Sequence, residues 1–81
     1  MSLTLTEIGQ LVRAARKAVG LRQRDLAEAA GVSRYTVVKL ETGRLADINY
    51  KTLVSILTVL RLELRVESSR ISGLPVLGEL E

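Results

Sequence analysis

Eight basic side chains fall between residues 13 and 44: Arg13, Arg16, Lys17, Arg22, Arg24, Arg34, Lys39 and Arg44. Three acidic ones, Asp25, Glu28 and Glu41, accompany them, so this stretch carries +5 within a chain whose formal charge is +3. From Leu53 onward the balance reverses, with three basic residues against four acidic ones. Arg offers a planar fork of donors that fits an anion two bonds at a time, and Lys offers a point charge. The chemistry on offer is recognition of a polyanion, with an idle solvated face as the bland alternative. Bond-making chemistry has few residues to use. The chain has no His and no Cys, which removes thiol nucleophiles, nearly all zinc sites and the commonest general base at neutral pH. No carboxylates cluster. The reading is a protein that is not an enzyme, without cofactor and without metal.

Helices must position those cations. Thr4 and Glu7 have the spacing of a capping box, and Ile8, Leu11, Val12, Ala15 and Val19 then recur on one helical face, predicting a helix from Thr4 to Val19 stopped by Gly20. A second helix fits Gln23 to Ala30, with Leu26, Ala27 and Ala30 inward and Gly31 as its stop. Ser33 caps a third, from Arg34 to Thr42, whose inner face is Val37 and Leu40 and which Gly43 closes. Asn49 caps a fourth, Tyr50 to Leu60, with Leu53, Ile56, Leu57 and Leu60 at core spacing. Tyr35 and Tyr50 are the only aromatics, so the core is aliphatic. At 81 residues this is one small domain with little surface to bury, and a partner chain that completes the core is expected. No basic-then-apolar leader opens the chain, and no apolar run approaches the ~20 residues of a membrane span. The expected location is cytoplasmic, at the nucleoid, with no membrane partner.

The segment QRDLAEAAGVSRYTVVKLET, Gln23 to Thr42, meets every requirement of two helices crossing at a tight turn. Leu26 and Ala30 supply inner contacts, small Ala27 admits the second helix, Gly31 takes the left-handed turn position, Val32 plugs the turn, and Val37 and Leu40 anchor the far side. An ordinary helical hairpin is the alternative. With its lead-in GLRQRDLAEAAGVS, the segment resembles the helix-turn-helix regulators of the phage-repressor type, the XRE-like family, over about Ile8 to Leu60. The resemblance implies an all-α fold, a four-helix repressor-type domain that binds DNA. It also implies an ion pair between Arg16 and Glu41 that ties the first helix to the third. Arg22 departs from the family, which often has Ser or Thr there; the second helix then starts less firmly, and Arg22 is free to reach a phosphate.

In this architecture the second helix of the motif enters the major groove with its N-terminal side chains toward base edges. The outward residues are Arg34, Tyr35, Val38 and Lys39. Arg34, and next Lys39, suit guanine O6 and N7, while Tyr35 and Val38 suit a thymine methyl. Phosphate contacts are expected from Arg22, Gln23, Arg24, Ser33, Thr36, Arg44 and Lys51.

After the fourth helix the pattern changes period. Leu62, Leu64 and Val66 alternate with Arg61, Glu63, Arg65 and Glu67, which reads as a strand with one apolar face. A lone strand needs a partner molecule. In an antiparallel self-pairing centred on Leu64, Arg61 faces Glu67, Glu63 faces Arg65 and Leu62 faces Val66, each pair complementary. The alternative is that the fourth helix continues to Glu67. The expected layout is a DNA-binding domain over 1–60, a dimerisation strand over 61–68 and a flexible tail over 69–81. A strand at this point is similar to the HipB-like antitoxins, which implies a homodimer on palindromic operator DNA in its own promoter and a HipA-type kinase toxin as partner. In the tail, Leu74, Val76, Leu77 and Leu80 are apolar with little local structure to bury them, and are candidates for docking that toxin. A stand-alone repressor and a protein-interaction module that binds no DNA remain as alternatives.

Overall fold

The computed structural model describes residues 4–65. These form four helices, α1 (Leu5–Ala18), α2 (Gln23–Ala30), α3 (Arg34–Glu41) and α4 (Tyr50–Val59). Each helix begins where a side chain can replace the missing backbone partner. Thr4 Oγ1 accepts the Glu7 amide at 3.1 Å, and Glu7 Oε1 accepts the Thr4 amide at 3.1 Å, a complete capping box. Ser33 Oγ accepts from the Thr36 amide at 3.1 Å, and Asn49 Oδ1 from the Thr52 amide at 2.8 Å. The α2 start is different. Arg22 has no acceptor to offer, yet Asp25 Oδ2 accepts the Arg22 amide at 2.9 Å and so completes half of a box. The expected weakness at this end is therefore corrected by the residue three positions on.

Helix α1 packs on α3, α3 on α2, and α2 on α4. Val12, Leu26, Val37, Leu40 and Ile56 are fully buried where these layers meet. Burial of each such side chain stabilises by about 1.5–3 kcal/mol, and the absence of larger rings leaves an aliphatic core. The turn between α2 and α3 places Gly31 at φ 71°, and Val32 donates to the Ala27 carbonyl at 3.0 Å before packing on the core. Only a residue without Cβ adopts that left-handed turn at no steric cost.

A second glycine sets the approach of α1 to α3. Gly9 lies buried inside α1, and a Cβ built there would sit 1.9 Å from the Leu40 carbonyl oxygen. The two helices therefore meet backbone to backbone at this point.

Helix α4 does not continue to Glu67. It stops at Val59 with Leu60 as cap, and Arg61 takes φ 58°. Arg61 N–H donates to the Thr58 carbonyl at 3.0 Å and Leu62 N–H to the Leu57 carbonyl at 2.8 Å, the paired bonds that reverse a chain at a helix end. Arg61 thus belongs to this turn rather than to a strand. Residues 62–65 are neither helical nor strand-paired in the single chain, while Val66, Glu67 and the tail positions Leu74, Val76, Leu77 and Leu80 lie outside the described residues. Among the described residues no helix is long and apolar enough to cross a membrane.

Candidate nucleic-acid interface

The outer face of α3 follows from its inner one. Val37 and Leu40 are buried, so the helical period turns Arg34, Tyr35, Val38 and Lys39 outward. Tyr35 is 68% exposed, and its ring lies 5.1 Å from the Lys39 ammonium one turn later. That contact orders both side chains without occupying the donors of Lys39. Tyr35, Val38 and Lys39 share an open hollow of about 420 Å³ with Thr42 and Arg44. Apolar methyls, an aromatic ring and two cations on one concave surface suit the edge of a base pair and its flanking phosphate.

Next to it, Arg16, Arg22, Gln23, Arg24 and Arg34 line a hollow of about 470 Å³ at the start of α2. The four arginines have different duties. Arg16 and Glu41 form a bidentate pair, Nε to Oε2 at 2.7 Å and Nη2 to Oε1 at 2.9 Å. Their side chains are 10% and 1% exposed. Arg16 Nη1 also donates to the Leu21 carbonyl at 2.8 Å. The hydrogen bonds that Arg16 donates to Glu41 raise the Arg16 pKa, against the opposing effect of burial and with the help of the opposite charge, so the guanidinium stays charged. Gln23 Nε2 donates to the same Glu41 at 3.2 Å. The pair therefore ties α1, the turn after it, the first residue of α2 and the last of α3 into one unit.

Arg22 is not free. Its Nε and Nη2 bind Asp25 at 2.9 and 3.0 Å, so only its remaining donors can serve a phosphate. The Arg22 hydrogen bonds, from side chain and then backbone, pull the Asp25 carboxyl down to about 2. The sign follows: with the folded-state value below the ordinary one, this stabilisation is present at neutral pH and fades as pH falls from about 4 through 2. The Asp25 carboxyl is expected to titrate near 2 by NMR and to move to the ordinary carboxylate range in Arg22→Ala. An ordinary midpoint in the unsubstituted chain would show that solvent breaks the pair.

Arg24 and Arg34 make no hydrogen bond or ion pair to the described residues, and both are exposed. They are the uncommitted cations of this hollow, beside the free amides at the α2 N-terminus. Ser33 Oγ and Thr36 Oγ1 lie 2.9 Å apart; one donates to the other, which leaves one hydroxyl hydrogen for an outside acceptor. Arg44 is exposed just past α3, and Lys51 is exposed in the first turn of α4 outside both hollows. Two features of this surface escape the sequence reading. The Gln23–Glu41 bond spans 18 positions and leaves no local trace. The Arg22–Asp25 bond has one: the three-residue spacing of a capping box.

A helix-turn-helix family profile matches residues 12–66, the stretch that contains both hollows. The chain belongs to the XRE-type helix-turn-helix family. This helix-turn-helix protein is 53% identical over 34 residues to an uncharacterized HTH-type transcriptional regulator of Methanothermobacter thermautotrophicus. That match covers 42% of the chain and 49% of the relative, so the chain spans about half the length of the curated relative it matches. Its fold is similar to the restriction-modification controller protein C.AhdI from Aeromonas hydrophila, at a TM-score of 0.67 and 32% identity over 73% of this chain and 88% of that one. It also shares its fold with a chain of a HipA-HipB-O2-O3 complex, at a TM-score of 0.73 and 20% identity over 86% and 97% of the two chains. The helix-turn-helix assignment places the chain in a family of DNA-binding transcriptional regulators.

Proposed function

We propose that the protein is a dimeric regulator that reads a palindromic operator with α3, represses its own operon and holds a HipA-type kinase toxin. The observation that carries the DNA reading is the division of labour among its cations. Arg16 and Arg22 are tied into the fold, while Arg24, Arg34, Lys39 and Arg44 line two adjoining hollows with no carboxylate among the described residues bound to them. Arg34, Tyr35, Val38 and Lys39 take the base edges. Gln23, Arg24, Ser33, Thr36, Arg44 and Lys51, with the spare donors of Arg22, take phosphates. Gln23 is held at its station by Glu41.

Binding to duplexes from the protein's own promoter region, followed by fluorescence anisotropy across a salt series, tests the assignment. Arg34→Ala is expected to cost about 1–3 kcal/mol and to relax preference at one base position. Arg44→Ala is expected to weaken all sequences alike and to flatten the salt slope by about 1. Selectivity untouched by Arg34→Ala removes that residue from the reading set.

The antitoxin role rests on LRLELRVE and the apolar tail. Leu62 and Leu64 follow the end of α4 directly, and a dimer paired there would present two α3 helices to half-sites expected about one turn of DNA apart, ~34 Å. Leu74, Val76, Leu77 and Leu80 are then the segment offered to the kinase. The 32% identity to a restriction-modification controller protein favours a second reading, a stand-alone regulator. Copurification from cells separates them: a kinase-sized partner supports the antitoxin, and nucleic acid alone supports the stand-alone regulator.

A further inference from the structure

Two of the four arginines that line the hollow at the start of α2 are bound to carboxylates. The two bonds differ in kind. Arg16 and Glu41 lie inside the fold, whereas the Arg22 and Asp25 side chains are 69% and 31% exposed. An exposed ion pair adds little to stability, so the fold gains little from the Arg22–Asp25 bond. Its geometry bears instead on what the hollow can hold. Asp25 Oδ2 accepts both the Arg22 amide and Arg22 Nε, each at 2.9 Å. The backbone bond fixes the carboxylate at the helix start, so it does not swing aside when another anion arrives. Hydrogen bonds from Arg22 also hold that carboxyl down to about 2, and the negative charge persists at neutral pH.

The guanidinium itself is half used. Nε and Nη2 go to Asp25, which leaves both Nη1 hydrogens and one on Nη2. A phosphate on that free edge shares one small plane with the carboxylate, and the two anions repel across it. Arg24, two positions on, is exposed and has no carboxylate bound to it among the described residues.

We propose that Asp25 attenuates the phosphate contact of Arg22 and so sets how tightly the α2 start holds a DNA backbone. The inference rests on the DNA reading above and adds a residue that limits affinity. Asp25 is a positioning residue: it caps α2 and acts on phosphate through Arg22. The hollow then offers Arg24 and Arg34 as full charges and Arg22 as a fraction of one. Phosphate contacts carry no base identity, so the attenuation applies to every duplex alike and leaves selectivity to α3.

The test is fluorescence anisotropy of the full chain on a promoter duplex and an unrelated duplex, across a salt series. Asp25→Asn keeps a side-chain oxygen for the Arg22 amide, so the far-UV spectrum and melting temperature should hold. Binding should tighten roughly threefold or more on both duplexes, and the salt slope should steepen by up to ~0.9, one further phosphate neutralised. In an Arg22→Ala background the same exchange should give a smaller gain, because no guanidinium is left to release. Equal gains in the two backgrounds overturn the inference, since the carboxylate would then act on DNA directly. Weaker binding by Asp25→Asn overturns it too, by showing that the carboxylate aims Arg22 at the phosphate. A second comparison needs no change at Asp25: Arg22→Ala should weaken binding less than Arg24→Ala, and the reverse order overturns the inference. Wild type that binds neither duplex removes the DNA reading and this inference with it. Wild type that binds, with no Arg22-dependent gain, removes this inference alone.

Discussion

Glu41→Ala is expected to destabilise the domain by about 3–5 kcal/mol, the cost of leaving a buried guanidinium without its counter-charge. Arg16 and Glu41 are only 8% and 6% exposed, and two of the Arg16 donors end on that one carboxylate. The loss also strips Gln23 of its acceptor. Small domains hold roughly 5–15 kcal/mol in all, so a urea titration should show a large fraction of stability gone, and the melting temperature should drop by ~12 °C or more. The control replaces both partners. Arg16→Met with Glu41→Leu removes the charge and its partner together, and should lose much less, because an apolar pair of similar volume carries no desolvation debt. A Glu41→Ala loss below about 1 kcal/mol, the range of an exposed pair, would mean that water reaches the site in solution. The DNA readout separates a second consequence. If Glu41 holds Gln23 in place, Glu41→Gln should fold better than Glu41→Ala yet still loosen the phosphate contact at the α2 start.

Gly9→Ala is expected to be comparably damaging, and in the opposite sense to helix propensity. In an exposed helix the exchange would stabilise by up to ~1 kcal/mol. Here the new methyl would meet the Leu40 carbonyl oxygen at 1.9 Å, with the carbonyl carbon at 2.9 Å. Those atoms are backbone, so nothing flexible can step aside. Helix α1 must move off α3, which strains the Arg16–Glu41 bonds between the same two helices. Overpacking costs about 1–3 kcal/mol and occasionally more; with the ion pair disturbed, the upper part of that range or beyond is expected. Thermal unfolding of Gly9→Ala against Gly20→Ala is an informative comparison. Gly20 has open space around its missing Cβ but a left-handed backbone, so its penalty is conformational alone, about 1–2 kcal/mol. A stabilised Gly9→Ala chain would show that the helices have room to separate.

The helices were legible because their rules are local. Thr4, Ser33 and Asn49 cap at a reach of three residues, and the apolar positions repeat within one turn. The predicted ends overshoot by a single residue at Val19, Thr42 and Leu60, while Thr4 is the cap that its spacing to Glu7 predicts. Caps make half the bonds of a helical residue, so a pattern of side chains cannot separate the two. The outward set Arg34, Tyr35, Val38 and Lys39 was legible for the same reason: fixing Val37 and Leu40 inward fixes what points out. Arg22 lacks the side chain of a familiar cap, yet Asp25 stands at the capping-box spacing and binds it. Gly9 had a signal too, a glycine in the interior of an otherwise helix-forming run.

By itself, then, the sequence determined a basic polyanion-binding motif, four helices, and which side of each faced inward. It also left the chain without imidazole or thiol side chains, having no His and no Cys. Tertiary structure decided which of the basic residues are at liberty to bind, the Arg16–Glu41 pair being the one long-range tie that the family resemblance already implied. Glu41 claims Arg16 across 25 positions and Gln23 across 18, distances over which no sequence periodicity operates. It likewise decided how α4 ends. No glycine marks that point; Leu62 folds back against the core, and Arg61 takes the left-handed turn that this burial demands. Local rules place side chains around one helix, and only the packing of helices on one another brings distant charges into a shared low-dielectric space where one must bind the other.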